Sequence, residues 1–236
     1  MKSLAIVIPT INEEKVLPKL LLSLKQQTYQ DFEVIVADSD SKDMTAKVAM
    51  MFGAKVIQAG KGVSRARNAG AAIASSDSLL FVDADVQFPD PGWLGRFMAW
   101  VAANKVELAH TYSCPDHLDL WSKLWIAGRN FWEWNTMYTL GWFIFCSRSV
   151  FDKVGGFNEK ARIAEDGLFG VQANKTVSLY LYPESVIVSL RRYRKQGYLT
   201  NAGLLARCGD CTRKGDFDCA KCEIGSDPTK YPVGVF

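Results

Sequence analysis

The stretch Leu4-Ala-Ile-Val-Ile-Pro-Thr-Ile-Asn-Glu-Glu14 decides the architecture. Five apolar residues without alternation read as a strand buried on both faces, the mark of a parallel sheet, and Pro9 ends it because proline cannot donate to a ladder. Asn12 then caps a helix with Val16, Leu17, Leu20, Leu21 and Leu24 on its apolar face. Outward from there the alternation repeats. Strands are expected at Phe32–Ala37, Lys55–Gln58 and Ser78–Val82, with helices from the turn Asp38–Asp43 to about Phe52 and from Ser64 to Ala74. This βαβ pattern predicts an α/β fold, a Rossmann-related open mixed sheet flanked by helices.

After Pro91 the pattern loosens. Helices are expected at Trp93–Ala103, Ser149–Val154 and Glu165–Ala173, and strands at Val106–Tyr112, Gly141–Cys146, Val177–Tyr182 and Ser185–Val188. No internal repeat or low-complexity linker interrupts the chain. Beyond Arg207 the composition shifts to Cys, Gly, Asp and Lys, so a small Cys-rich C-terminal element is expected there. The predicted organisation is one domain in two halves, residues 1–112 and 113–200, with a tail over 201–236.

With 236 residues, 48% of them hydrophobic, the chain can bury a sizeable core. A net charge of +3 falls far short of a dedicated nucleic-acid binder, so no nucleic-acid partner is expected. No stretch approaches the ~18 consecutive apolar residues of a membrane span, and Leu4–Ile8 is too short for a signal-peptide core. The expected location is the cytoplasm, with the inner face of the membrane left open.

Polar turns follow three of the strands, where open parallel sheets bind ligands. Phe81-Val-Asp-Ala-Asp85 places two carboxylates at i and i+2, suited to a divalent ion or a ribose. By itself it is an ordinary acidic turn. Pro9–Glu14 and Asp38-Ser-Asp-Ser-Lys-Asp43 offer carboxylates and helix-start N–H groups for an anionic ligand, although each also reads as a capping turn. Lys61-Gly-Val-Ser-Arg-Ala-Arg-Asn-Ala-Gly70 sets Arg65, Arg67 and Asn68 early in a helix, where cations oppose the macrodipole and call for an anionic partner.

Taken in order, Ile-Val-Ile-Pro-Thr-x-Asn-Glu-Glu, Val-Ile-Val-Ala-Asp-Ser-x-Ser-x-Asp, Gly-Val-Ser-Arg-Ala-Arg-Asn-x-Gly and Phe-Val-Asp-Ala-Asp resemble the motifs of family 2 glycosyltransferases of the GT-A fold. Phe145-Cys-Ser-Arg-Ser-Val-Phe-x-Lys-Val-Gly-Gly-Phe-Asn-Glu159 extends the likeness, which runs from Leu4 to Tyr193. The resemblance implies an inverting, hexosyltransferase-like enzyme that moves a sugar from a nucleoside-diphosphate sugar to an acceptor hydroxyl. Carried over by position, Pro9, Thr10 and Glu13 would meet the nucleoside, Asp38 the base, Arg67 the donor, Asp83 the ribose and Asp85 a Mn²⁺ or Mg²⁺ on the diphosphate. Ile163-Ala-Glu-Asp-Gly167 resembles the family's Glu-Asp motif. Asp166 would be the catalytic base, taking the acceptor proton opposite the leaving group. Glu165 would orient the acceptor or stabilise the loop.

The chain departs from the family pattern in two places. Gln172 stands where many members carry an arginine, and Val188-Ser-Leu190 where many carry a histidine, so the resemblance supplies no third metal ligand. A Gln-x-x-Arg-Trp motif is absent, which favours single transfer over processive synthesis, while Arg191-Arg-Tyr193 follows the last strand. His110 and His117 read as structural.

Trp121, Trp125, Trp132 and Trp134 crowd residues 118–140, the first three near one helical face. Core packing, a wall for a carbohydrate or lipid-linked acceptor, and a peripheral membrane contact all fit this stripe. In the tail, Cys208-Gly-Asp-Cys211 and Cys219-Ala-Lys-Cys222 can supply four thiolates to a structural Zn²⁺, with disulfides, an iron–sulfur cluster or unligated cysteines as the alternatives. Two other functions compete with transfer. A nucleotidyltransferase would want a glycine-rich basic loop in place of Pro9–Glu14, and a non-catalytic glycan- or protein-binding module could keep the fold. A dinucleotide enzyme is disfavoured because no G-x-G-x-x-G follows the first strand.

Overall fold

A computed structural model describes residues 3–136, 139–161 and 164–201, with the side chains of 132–136 set aside. The first half alternates as expected: β1 (Leu4–Thr10), α1 (Leu17–Lys25), β2 (Phe32–Asp38), α2 (Thr45–Met51), β3 (Lys55–Gln58), α3 (Val63–Ile73) and β4 (Ser78–Phe81). There follow β5 (Val86–Gln87), α4 (Trp93–Asn104), β6 (Leu108–Pro115), α5 (Leu120–Thr136), β7 (Ile144–Ser147), α6 (Arg148–Val154), α7 (Glu165–Ala173), β8 (Tyr180–Val188) and α8 (Arg191–Gln196).

All eight strands form one mixed sheet in the order β3-β2-β1-β4-β7-β6-β8-β5. The first four are parallel, β7 runs antiparallel to both β4 and β6, and β8 is parallel to β6. The two halves expected on either side of residue 112 therefore share a single sheet. β1 is buried on both faces. Leu4, Ile6 and Ile8 pack in the cluster that holds Leu17, Leu20, Trp93 and Phe97, while Ala5 and Val7 join Phe81, Phe151 and Phe169 on the other side. Gly70 lets α3 lie close on β1, since a Cβ there would stand 2.3 Å from Val7 Cγ1.

Several local expectations fail for identifiable reasons. Pro9 does not end β1, because it pairs in register with Ala37. Its missing N–H falls on the side where β4 has already stopped at Phe81, so no ladder bond is lost. Asn12 does not cap α1, which starts at Leu17 behind Val16 with no side-chain cap and with proline in its first turn. Asn12 is instead left-handed, at φ 54°, and ties two loops together. The two short strands expected after 177 are the single strand β8. Its register with β6 jumps from Thr111↔Tyr182 to Tyr112↔Ser185, so Pro183 and Glu184 bulge out, and Thr111 Oγ1 donates to the Glu184 carbonyl.

Candidate active site

The loops after β1, β2 and β4 lie side by side at the carboxyl ends of the parallel strands. The first two are sewn together by Asn12, whose N–H donates to Ser41 Oγ (2.8 Å) and whose Oδ1 accepts from Lys42 N–H (2.7 Å). Glu13 N–H donates to Thr45 Oγ1 at 2.7 Å. Asp38, buried at the end of β2, accepts from Thr10 Oγ1 (3.2 Å), Ser41 N–H (3.0 Å) and Gln58 Nε2 (3.4 Å). Pro9, Thr10, Glu13 and Asp38 thus sit together on a pre-set floor.

Arg67 is the centre of the site. The residue is 1% exposed. Nη1 donates to Glu165 Oε1 at 2.8 Å, Nη2 donates to Asp83 Oδ1 at 2.9 Å, and the guanidinium lies over the Phe157 ring at 5.1 Å. The anionic partners called for by the basic start of α3 are therefore the protein's own carboxylates. Arg65 takes Glu159, and Asn68 clasps the Gly-Gly-Phe turn by donating to Phe157 O (2.9 Å) and accepting from Phe157 N–H (2.8 Å). Arg67, expected at the donor, reaches that side through Asp83 rather than with an exposed guanidinium.

The chain enters α7 through left-handed backbone at Ala164, φ 60°. Glu165 then turns inward to Arg67, while Asp166 stays half-buried. Asp166 Oδ2 accepts from Gly141 N–H at 2.6 Å and Oδ1 from Gly167 N–H at 2.7 Å; its carbonyl accepts from Thr139 Oγ1 at 2.6 Å. Gly141 lies at the meeting point of the groups. A Cβ there would be 2.5 Å from Arg67 Nη2, 3.0 Å from Asp83 Oδ2 and 3.4 Å from Asp166 Oδ2. Burial, with help from Asp166, pushes the Glu165 carboxyl up to about 7 against the pull of Arg67.

Asp83 and Asp85 face different cations. Asp85 Oδ2 lies 3.4 Å from Arg191 Nε, and the Arg191 guanidinium also pairs with the buried Glu13. The β5–β8 pairing Val86↔Val188 and the bond from Ser189 N–H to Asp85 O bring α8 here. Burial pushes the Asp85 carboxyl up to about 7, with Asp83 adding to the shift, Arg191 opposing it and Glu13 adding again. Burial likewise raises Glu13 and Asp83. Glu13 Oε2 is buried without a hydrogen-bond partner. Crowded, poorly solvated carboxylate oxygens with one orphaned acceptor fit a hard divalent cation. No three His, Cys, Asp or Glu side chains among the described residues converge on one metal position, so such an ion would need oxygens from a ligand as well.

The family model described as Glycosyl transferase family 2 matches residues 5–155. The chain belongs to that family. A PGL/p-HBAD biosynthesis glycosyltransferase of Mycobacterium bovis is 28% identical over 214 residues, covering 84% of this transferase and 78% of the relative. A 4,4'-diaponeurosporenoate glycosyltransferase of Staphylococcus haemolyticus is 46% identical over 94 residues, 36% of this chain and only 25% of that one. Among solved structures, S. aureus TarS 1-349 in complex with UDP-GlcNAc matches with a TM-score of 0.66 at 20% identity, over 80% of this transferase and 59% of that chain. A mannosyltransferase from Pyrobaculum calidifontis, in complex with GDP-Man and Mn²⁺, matches with 0.65 at 18% identity, over 98% and 72%. These likenesses establish the GT-A fold of this transferase.

Three residues of the candidate site were not assigned from sequence. Gly141 and Thr139 have no motif around them, and Arg191 reads only as part of Arg191-Arg-Tyr193 after the last strand. Cys208, Cys211, Cys219 and Cys222 lie outside the described residues, as do the side chains of Trp132 and Trp134. Of the aromatic stripe, Trp125 packs against Tyr193 and Tyr198, whereas Trp121 is 68% exposed. His110 is buried and stacked on Trp142, as its structural reading requires. Among the described residues no helix is long and apolar enough to cross a membrane.

Proposed function

We propose that this transferase moves one sugar, with inversion, from a nucleoside-diphosphate sugar to an acceptor hydroxyl. The observation that carries the reading is the buried Arg67 clamp, which locks Asp83 to Glu165 and so fixes Asp166 beside the donor-side carboxylates. Asp38, Thr10 and Pro9 line the nucleoside floor, and Asp83 offers its second carboxylate oxygen to the ribose. Asp166 takes the proton of the acceptor hydroxyl as that oxygen bonds to the anomeric carbon, while the bond to the diphosphate breaks on the opposite face and leaves its electron pair on the diphosphate. Mn²⁺ or Mg²⁺, held by Asp85 and diphosphate oxygens, would neutralise the charge of the leaving group. Glu165 and Arg67 are positioning residues. The donors named for the structural relatives, UDP-GlcNAc and GDP-Man, are the first to test.

Leu118, Leu120, Trp121 and Leu124 are all exposed on or beside α5. This supports a lipid-linked acceptor and a peripheral membrane contact over a free carbohydrate. The four tail cysteines are proposed to hold a structural Zn²⁺, and metal analysis of the purified protein tests this directly.

The decisive experiment measures transfer or slow hydrolysis of both donors with Mn²⁺. Asp166→Asn should lower turnover at least about 10²-fold while donor binding persists, and Asp85→Asn should abolish the Mn²⁺ dependence of donor binding. Binding of neither donor, or full turnover in Asp166→Asn, would remove the reading.

A further inference from the structure

Arg191 is the cation that stands beside Asp85. Its Nε lies 3.4 Å from Asp85 Oδ2, and its Nη2 pairs with Glu13 across 178 positions of sequence. It is the one cation in contact with Asp85 among the described residues. Glu13 is 1% exposed, so this end of the arginine is anchored in the floor, whereas 35% of the Arg191 side chain remains exposed. Its carrier, α8, is six residues long with no buried residue. The helix is held from outside the site, by Arg194 on Asp116 at 3.0 Å and by Tyr193 against Trp125.

We propose that Arg191 is a resident counter-cation that competes with the divalent metal for Asp85, so that the metal enters only with a diphosphate able to take over the charge of the arginine. A fixed guanidinium repels an arriving Mn²⁺ as it neutralises the carboxylate that should bind it. A nucleoside diphosphate reverses both effects, because its oxygens ligate the ion and accept from the displaced guanidinium. Donor and metal thereby bind as a pair, each raising the affinity for the other.

The proposal rests on the transferase reading, and binding measurements separate the two. Mn²⁺ binding is read by electron paramagnetic resonance, with and without UDP or GDP. Asp85-dependent binding of Mn²⁺ with nucleotide is required by the transferase reading; if wild type and Asp85→Asn behave alike, both ideas fall. Given that dependence, Arg191→Gln, which keeps a donor for Glu13 but loses the charge, should bind Mn²⁺ without nucleotide about tenfold more tightly than wild type. Equal or weaker binding overturns the proposal. Should Arg191→Gln fold poorly, the wild-type protein decides: the Arg191 Nε–H signal in NMR should move when Mg²⁺ alone is driven onto Asp85, and an unmoved signal sinks the idea.

Discussion

Arg67 and Glu165, 98 positions apart in the chain, meet in a buried ion pair at 2.8 Å that joins α3 to the first turn of α7, which carries Asp166. With Asp83 on its other end, the guanidinium closes a three-residue bridge. Removing the cation would leave the buried Glu165 carboxylate without its counter-charge and Asp83 without a partner beside it. Arg67→Met should therefore destabilise the fold by about 3–5 kcal/mol, the usual result of breaking a buried pair from one side. Urea unfolding measures it. Arg67→Lys should recover little, because an ammonium cannot hold both carboxylates in the forked geometry.

Gly141 has no room for a methyl group. Gly141→Ala would press on Arg67 Nη2 at 2.5 Å and on both aspartates, and it should cost about 1–3 kcal/mol. If Asp166 is the base proposed above, turnover should drop further than stability, by roughly 10²-fold. Steady-state kinetics beside a thermal melt would show the split; equal losses in both would contradict it.

Asn68 holds the Gly-Gly-Phe turn through two bonds to the Phe157 backbone. Asn68→Ala should lose about 1–3 kcal/mol, since Phe157 N–H and C=O would lose their partner. Hydrogen exchange at Phe157 should quicken by a matching factor, while exchange in β1 stays unchanged.

Glu33 gives an acid-side prediction away from the site. Burial would raise its carboxyl, but Lys55 at 2.7 Å and Ser75 N–H and Oγ at 2.8 Å outweigh that and hold it at about 2. A pKa lowered on folding stabilises above the unfolded value of 4.5, and that stability drains away as pH falls from 4.5 to about 2. Lys55 is largely exposed, so the contribution is discounted for screening to about 1–2 kcal/mol. Glu33→Gln should be less stable than wild type at pH 7, with the difference closing by pH 2 in urea titrations.

The legible part of this protein was its first half. Short unbroken apolar runs such as Leu4–Ile8, bounded by turn residues and repeated at βαβ spacing, read as central strands, and the turns directly after them as the ligand edge. Pro9 and Asn12 misled because their effect depends on neighbours: where β4 stops, and which loop lies opposite. In the second half, the β8 bulge at Pro183 and Glu184 looks like a gap between strands in sequence, although in space it is one strand. The Glu165–Asp166 pair could be placed by resemblance, yet nothing nearby shows that Glu165 turns inward to an arginine on α3. Gly141 and Arg191 were invisible for the same reason. Their meaning lies in what approaches them from far along the chain.

The distance between Arg67 and Glu165 bears on how the protein is made. A ribosome delivers the loops after β1, β2 and β4 well before residue 165, so a nascent chain can pair Arg67 with Asp83 before Glu165 has been made. The second half of the bridge, Arg67 to Glu165, forms only once α7 is in place. A molecule cut before α7 would thus lack Glu165 and Asp166 together and leave the Arg67–Asp83 pair open on one side.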